Sequence, residues 1–433
     1  MSELTRTLEE KTLLERAERV LPGGSLGNVR LDDEYAFIVR EGYGSHIRDV
    51  SGNRYIDYLL GSGPMVLGHA HPKVISAVEA AVSKGTTFFT QNEYAIALAE
   101  QVVEALPCAE QVRFVSSGTE ATYNALKIAR AFRKRDKILK FEGGFHGMND
   151  YSLMSLTPSG KLKFPIPEPS SAGIPEAIQD TVLIAPYNDL ETVSDLLERY
   201  HDDLAAVIVE PVQRVVEPLP GFLKGLRELT EKYFIPLIFD EVVTGFRMAY
   251  GGAQEYYGVT PDLSAIGKIV GGGFPLAGVA GKRELMEAYN AQVVSSEDFV
   301  PQIGTLNGNP IAAAAGLATL EVLRTPRIYE SYHTRAAHLR GTLQRLLDEA
   351  EIPAIVSGVD VMFDVYFTDK PIVDYRSTLV DKTLNRIFDK ALLENGVFKS
   401  PGKFYVGICH DDEDVARTID VFKTGIQAVQ DAL

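Results

Sequence analysis

A chain of 433 residues, 45% of them hydrophobic, has ample apolar material for one large domain and one smaller one. Its net charge of -16 argues against a general nucleic-acid or anionic-membrane binder, while leaving room for a local positive site. The two cysteines, Cys108 and Cys409, lie far apart without metal-type spacing, which argues against a disulfide framework and fits a reducing cytosol.

In chain order, the opening MSELTRTLEEKTLLERAERV is charged and periodic, unlike a signal or transit peptide. Residues 3–20 predict an amphipathic helix closed by Pro22-Gly23-Gly24. No run has the apolar length of a bilayer span, so a soluble, cytoplasmic protein is expected. SHIRDVSGNRYIDYLL predicts a β-hairpin turning at Ser51-Gly52-Asn53. From about residue 65, short apolar runs alternate with helical patterns: VRFVS (112–116), KILKF (137–141), TVLIAP (181–186), AAVIVEP (205–211), IPLIFD (235–240) and DLSAIG (262–267). Such runs predict βαβ units and a mostly parallel sheet buried on both faces. The stretch 152–180 is rich in Pro, Ser and Gly without a period, and reads as a long loop, either a functional lid or a poorly ordered segment. Helical patterns come next at 310–324 and at the C-terminus, DDEDVARTIDVFKTGIQAVQDAL.

In open α/β sheets ligands bind outside the carboxyl ends of the strands, so the residues just after each run carry the functional signal. VRFVS leads into Ser117-Gly118-Thr119-Glu120, KILKF into Gly143-Gly144-Phe145-His146-Gly147, AAVIV into Glu210, IPLIF into Asp240, and DLSAIG into Lys268. One phosphate-sized cup, one aromatic, two acids and one lysine thus converge on one edge. Each has a plainer reading. Ser117 to Glu120 also fits a helix capping box, which is compatible with an anion site at the same helix end. Phe145 alone could be packing, and Lys268 alone could reach solvent. Asp240 after five apolar residues needs a cationic partner, which a surface salt bridge could also supply.

Nucleotide and metal readings explain the set less well. A P-loop around Lys268 would need Gly at 262 and Ser or Thr at 269, where the chain has Asp262 and Ile269. The Gly61-x-Gly63 pair lacks a third glycine at dinucleotide-binding spacing. His69-x-His71 reads as a loop pair and His410–Asp414 as a solvated helix start, since no further ligands have metal spacing. Pyridoxal 5'-phosphate uses every member: an amine for its aldehyde, a carboxylate for its ring nitrogen, amides and hydroxyls for its phosphate, and a side chain on each ring face.

FVSSGTEATYNALKIARAF, KFEGGFHG, VIVEPVQ, LIFDEVVTGFR, PDLSAIGKIVGGGFPLAG and GTLNGNPIAAAAG together resemble the successive signatures of class III aminotransferases, nearest the glutamate-1-semialdehyde 2,1-aminomutase branch. The resemblance runs from about residue 21 to the C-terminus. It implies the α/β pyridoxal-phosphate transferase fold of type I: a mostly parallel seven-stranded sheet flanked by helices, plus a smaller α+β domain built from both termini. The expected division is 1–63 and 318–433 for the small domain, with 64–317 as the large cofactor-binding domain. By position, Lys268 matches the Schiff-base lysine and Asp240 the partner of the ring nitrogen. Ser117, Gly118 and Thr119 match the phosphate loop, Phe145 and Val242 the two ring faces, and Gln213 a polar residue near the phenolic oxygen. His146 and Glu210 fall within the same cofactor motifs. Thr305 matches a threonine reaching the neighbouring subunit's cofactor, which implies a homodimer. Arg30 matches a substrate-carboxylate arginine.

Five positions depart from the aminomutase pattern. Ser62 stands where those enzymes keep a tryptophan, Phe145 where they usually have tyrosine, Met148 where a histidine usually follows, and Lys403-Phe404-Tyr405 where they have Gln-Phe-Glu. Lost charge and added space in the substrate pocket favour an aminotransferase acting on an amino acid or amine and a carbonyl acceptor. The aminomutase is the alternative, and a non-catalytic pyridoxal-phosphate-binding protein a remote one. Ser62 and Tyr405 join Arg30 as expected substrate contacts.

Overall fold

The computed structural model describes residues 6–27 and 35–433. Near the N-terminus a helix, Leu8–Val20, starts from Thr7 as its cap; the predicted helix began at residue 3. The strands β1 (Val39–Tyr43), β2 (His46–Asp49) and β3 (Arg54–Asp57) are antiparallel, and the β2–β3 pair is the predicted hairpin.

The central sheet comprises β4 (Gln111–Val115), β5 (Lys137–Phe141), β6 (Val182–Ala185), β7 (Leu204–Val209), β8 (Leu237–Glu241), β9 (Leu263–Ile266) and β10 (Ala277–Gly281). Its spatial order is β4-β10-β9-β8-β7-β5-β6, and only β10 runs antiparallel to its neighbours. The six apolar runs each fall on a strand, and β7 and β8 are buried at every position, as strands covered on both faces must be. The helix Gly118–Arg133 covers one face with Ala121, Ala125, Leu126, Ile128 and Ala129, while Leu190–Tyr200 and Phe222–Lys232 cover the other.

Beyond the long helix Ile328–Glu349 come β11 (Ile355–Val359), β12 (Met362–Tyr366), β13 (Val397–Phe398) and β14 (Phe404–Tyr405). β11, β12 and β14 form a three-stranded sheet, whereas β13 pairs parallel with β3, joining sequence from both ends of the chain in one four-stranded sheet. The backbone amide of Tyr405 donates to the carbonyl of Tyr58, which brings β14 against the segment carrying Ser62.

The stretch 152–180 carries a lattice of hydrogen bonds. Ser155 N–H donates to the Glu168 carbonyl and Glu168 N–H donates back to Ser155 Oγ at 2.9 Å. The expected solvated start of the last helix is corrected in part. Asp411 and Asp414 form a capping box for Asp412–Gln430, but His410 is fully buried and stacks on Tyr58 with ring centres 4.2 Å apart.

Candidate active site

Because six of the seven strands share one direction, their carboxyl ends open on one edge of the sheet, where a cavity of about 660 Å³ lies. The antiparallel β10 reaches the same edge with its beginning, placing Pro275 and Leu276 in the wall. Ser117, Gly118, Thr119, Phe145, Glu210, Asp240, Val242 and Lys268 of the expected cofactor set line this cavity, as do Ser62 and Tyr405 of the expected substrate set.

At the end of β4 the helix Gly118–Arg133 begins with the expected capping box. Ser117 Oγ accepts from Glu120 N–H at 3.2 Å, and Glu120 Oε2 accepts from Ser117 N–H at 2.9 Å. Ala121 N–H makes the first helical bond to the Ser117 carbonyl. The amides of Gly118 and Thr119, the first two of the helix, are therefore left to face the cavity, where the helix end favours an anion. The space beside them exists because of glycine. A Cβ on Gly118 would lie 2.9 Å from Val242 Cγ1, and one on Gly147 would lie 2.6 Å from Thr119 Cα.

Asp240, at the end of β8, is 6% exposed. Its Oδ2 lies 2.9 Å from His146 Nδ1, and its Oδ1 accepts from Val242 N–H at 3.1 Å. His146 is buried behind the wall, with Nε2 lacking a hydrogen-bond partner. Gln213 is also buried behind the wall; its Nε2 donates to the Glu142 carbonyl at 2.7 Å, while Oε1 is unpartnered. Glu210 Oε2 accepts from Phe145 N–H at 2.8 Å and so fixes the loop that presents the Phe145 ring.

Lys268 comes after β9 in a short 3-10 turn with a φ of 53°, a left-handed conformation rare for a residue with a Cβ. Ser62 and Arg214, on the same cavity, have φ of 68° and 61°. Strain of this kind costs about 1–3 kcal/mol per residue and gathers at functional sites. Burial holds the Lys268 amine below its ordinary range; Tyr405 pulls it back up, and Lys403 and Arg247 push it down again.

Two expected residues are not brought to the cavity. Thr305 is exposed in the loop before the helix Pro310–Leu323 and does not line the cavity of its own chain, while Arg30 lies outside the described residues. Sequence reading also passed over several groups. Arg214 lines the cavity with its guanidinium 5.0 Å from the Phe145 ring centre. Arg247, fully buried, lies 5.0 Å from the Tyr405 ring and donates to the Gly63 carbonyl. Lys140, inside β5, donates to the carbonyls of Gly144, Ser152 and Met154 at 3.1, 2.8 and 2.6 Å. Burial pushes Lys140 down to about 7, yet three carbonyl acceptors engage all three ammonium protons and favour the charged form. Lys140→Met is expected to strand those carbonyls and cost about 3 kcal/mol or more of stability, read as a lower urea midpoint.

The cavity fits a flat anionic cofactor. A buried carboxylate and a half-buried amine both look into it, free amides stand at a helix end, and glycines clear the space between. Residues 29–425 match the family model described as Aminotransferase class-III. The chain is 43% identical over 422 residues to the glutamate-1-semialdehyde 2,1-aminomutase of Desulfitobacterium hafniense, covering 95% of this chain and 96% of that one. The fold is similar to that of an omega-transaminase from Sphaerobacter thermophilus, with TM-score 0.92 and 36% identity over 97% of this chain and 98% of the other. A transaminase solved with pyridoxal phosphate bound gives TM-score 0.90 and 30% identity over 99% of each chain. The chain belongs to the class III aminotransferases, pyridoxal-phosphate-dependent enzymes of fold type I.

Proposed function

We propose that this chain moves an amino group on a small carboxylate-bearing substrate, and that the reaction is the conversion of glutamate-1-semialdehyde to 5-aminolevulinate. The observation that carries the chemistry is the pairing, in one cavity, of half-buried Lys268 with buried Asp240 beside the free helix end at Gly118. The choice of reaction rests on the curated relatives. They carry the aminomutase name at about 43% identity, which favours that reading over the aminotransferase the pocket substitutions suggested.

Bound here, pyridoxal phosphate supplies an aldehyde for amines and a ring that draws electrons from the attached carbon. Gly118 and Thr119 amides hold its phosphate, and Phe145 and Val242 cover its two faces. Asp240 keeps the ring nitrogen protonated, oriented in turn by His146. Lys268 would supply the amine that holds the cofactor's aldehyde, and its Nζ is the base placed to take and return the proton at the substrate's reacting carbon. Burial favours the neutral, proton-accepting form of that amine. Gln213 completes the wall behind Phe145. Thr305, exposed on its own chain, is assigned to the cofactor of a second copy in a homodimer. The division at residues 64 and 317 is kept, supported by a sheet whose seven strands all lie between 111 and 281.

Transamination is the second reading, favoured by Ser62 and Tyr405 on the cavity wall and by the 36% identity to an omega-transaminase. Incubating holoenzyme with glutamate-1-semialdehyde alone separates the two. Formation of 5-aminolevulinate with its nitrogen retained is the expected result. Keto product appearing only when a carbonyl acceptor is added, with the acceptor aminated, would replace it with transamination.

A further inference from the structure

The chain is acidic, with a net charge of -16, but its cavity is not. Among the described residues three cations, Arg214, Lys268 and Lys403, line it against two acids, Glu210 and Asp240. Both acids are engaged, Glu210 by the Phe145 amide and Asp240 by His146 and the Val242 amide. On the proposed function, on which this inference rests, Lys268 and Asp240 serve the cofactor. Arg214 is drawn over the face of Phe145. Lys403 remains.

Lys403 enters β14 from the turn that begins at Ser400, and its ammonium lies 5.6 Å from the centre of the Tyr405 ring. Four residues earlier Lys399, on the far side of that turn, is buried and takes two carboxylates, Asp364 and Asp389, each at 3.0 Å. Among the described residues no carboxylate pairs with Lys403, although it looks into the cavity. The Tyr405 ring is fixed from the other direction. The Arg247 guanidinium lies 5.0 Å from its centre, and Gly63 comes so close that a Cβ there would sit 3.2 Å from Tyr405 Cε1. A ring held this way is a rigid platform, and an ammonium resting on it is partly stripped of water and kept in one place. An ammonium engaged by a phenol but by no carboxylate makes its strongest bond with a carboxylate.

We infer that Lys403 binds the substrate's carboxylate, with Tyr405 as the positioning residue that aims its ammonium into the cavity. The site then selects amino compounds that carry a carboxylate over plain amines of the same length. Burial alone would raise the Tyr405 phenol, but Lys403, Lys268 and Arg247 outweigh it and hold the phenol below its ordinary range, consistent with a concentration of positive charge at this wall.

The test is isothermal titration of holoenzyme with glutarate, a five-carbon dicarboxylate that has no amine to transfer. Lys403→Met is expected to weaken binding by about tenfold to a hundredfold, the effect of one charge-assisted bond, with Lys403→Arg recovering most of it. Tyr405→Phe keeps the ring and loses only the hydroxyl that engages Lys403, so it should weaken glutarate binding less than Lys403→Met does, and Tyr405→Leu should lose about tenfold. Unchanged glutarate affinity in Lys403→Met, or loss in Arg214→Met alone, overturns the assignment. Because glutarate binding is read without turnover, its loss in Lys403→Met stands whichever reaction the enzyme performs. Unchanged glutarate affinity in that variant, with glutamate-1-semialdehyde still converted, would refute the role of Lys403 and leave the reaction intact.

Discussion

Lys268→Ala is expected to remove turnover, lowering kcat by at least about 10⁴-fold, because nucleophile and proton carrier are lost together. The cofactor-linked visible absorbance should disappear on gel filtration, since nothing then holds the cofactor covalently. Lys268→Arg separates charge from chemistry. It keeps a cation at the end of β9 but cannot release its proton or attack an aldehyde, so it should be as inactive as the alanine variant. Misfolding would be a trivial cause of the same result, and the structure predicts against it. Lys268 is half-buried, with its amine pushed below the ordinary lysine range by desolvation, so its removal relieves a desolvation cost. The apo form of Lys268→Ala should therefore unfold at the same urea midpoint as native apo-protein, or a higher one. The lowered amine also fixes a pH dependence. Capture of added cofactor by apo-protein needs the neutral amine, so its rate should rise with pH and level off below the pH at which an ordinary lysine loses its proton. A plateau only above that pH would show that burial does not act on Lys268 as described, and residual turnover in Lys268→Ala would remove it from the proposed mechanism.

The parts of this molecule legible in the sequence are those governed by local pattern. The six Val- and Ile-rich runs became strands because buried parallel strands need apolar side chains on both faces, and Ser117 to Glu120 became a helix start because a capping box is a four-residue event. β10 was not legible. Its sequence, AGVAG, has little side chain to signal a strand, and the reason is visible only in the sheet: a Cβ on Gly281 would lie 2.6 Å from the Asp262 carbonyl oxygen. At the site, residues that end strands were found because strand ends can be read in order. Arg214 and Arg247 come to the cavity region from a turn and from the segment after β8, and nothing local distinguishes them from surface arginines. Lys403 was visible as a departure from the aminomutase pattern, but its partnership with Tyr405 depends on β14 reaching back to Tyr58, a contact across more than three hundred residues. Lys140 was hidden inside an apolar run, where its three carbonyl partners arise from the loop beyond that run.

Asp240→Asn carries the second large effect, an expected fall in kcat of about 10²- to 10³-fold, the usual consequence of removing a preorganised group that stabilises developing charge. The substitution keeps the shape of the side chain and removes only its charge, so the geometry at the end of β8 should survive. What is lost is the partner that holds a proton on the ring nitrogen, and with it the ring's pull on electrons from the reacting carbon. The buried surroundings sharpen the effect. Asp240 is 6% exposed, and His146 and the Val242 amide are its partners within the protein, so no nearby carboxylate among its contacts can take its place. His146→Gln acts through Asp240 and should cost less than Asp240→Asn, with kcat affected more than KM. A cofactor analogue methylated on the ring nitrogen distinguishes charge from placement, because it carries the positive charge permanently. Reconstituting Asp240→Asn with that analogue should recover a substantial part of the lost kcat, while native enzyme gains nothing from it. Equal impairment of the variant with either cofactor would mean that Asp240 serves to place the ring and not to hold its charge, and the electronic role assigned to it would fall.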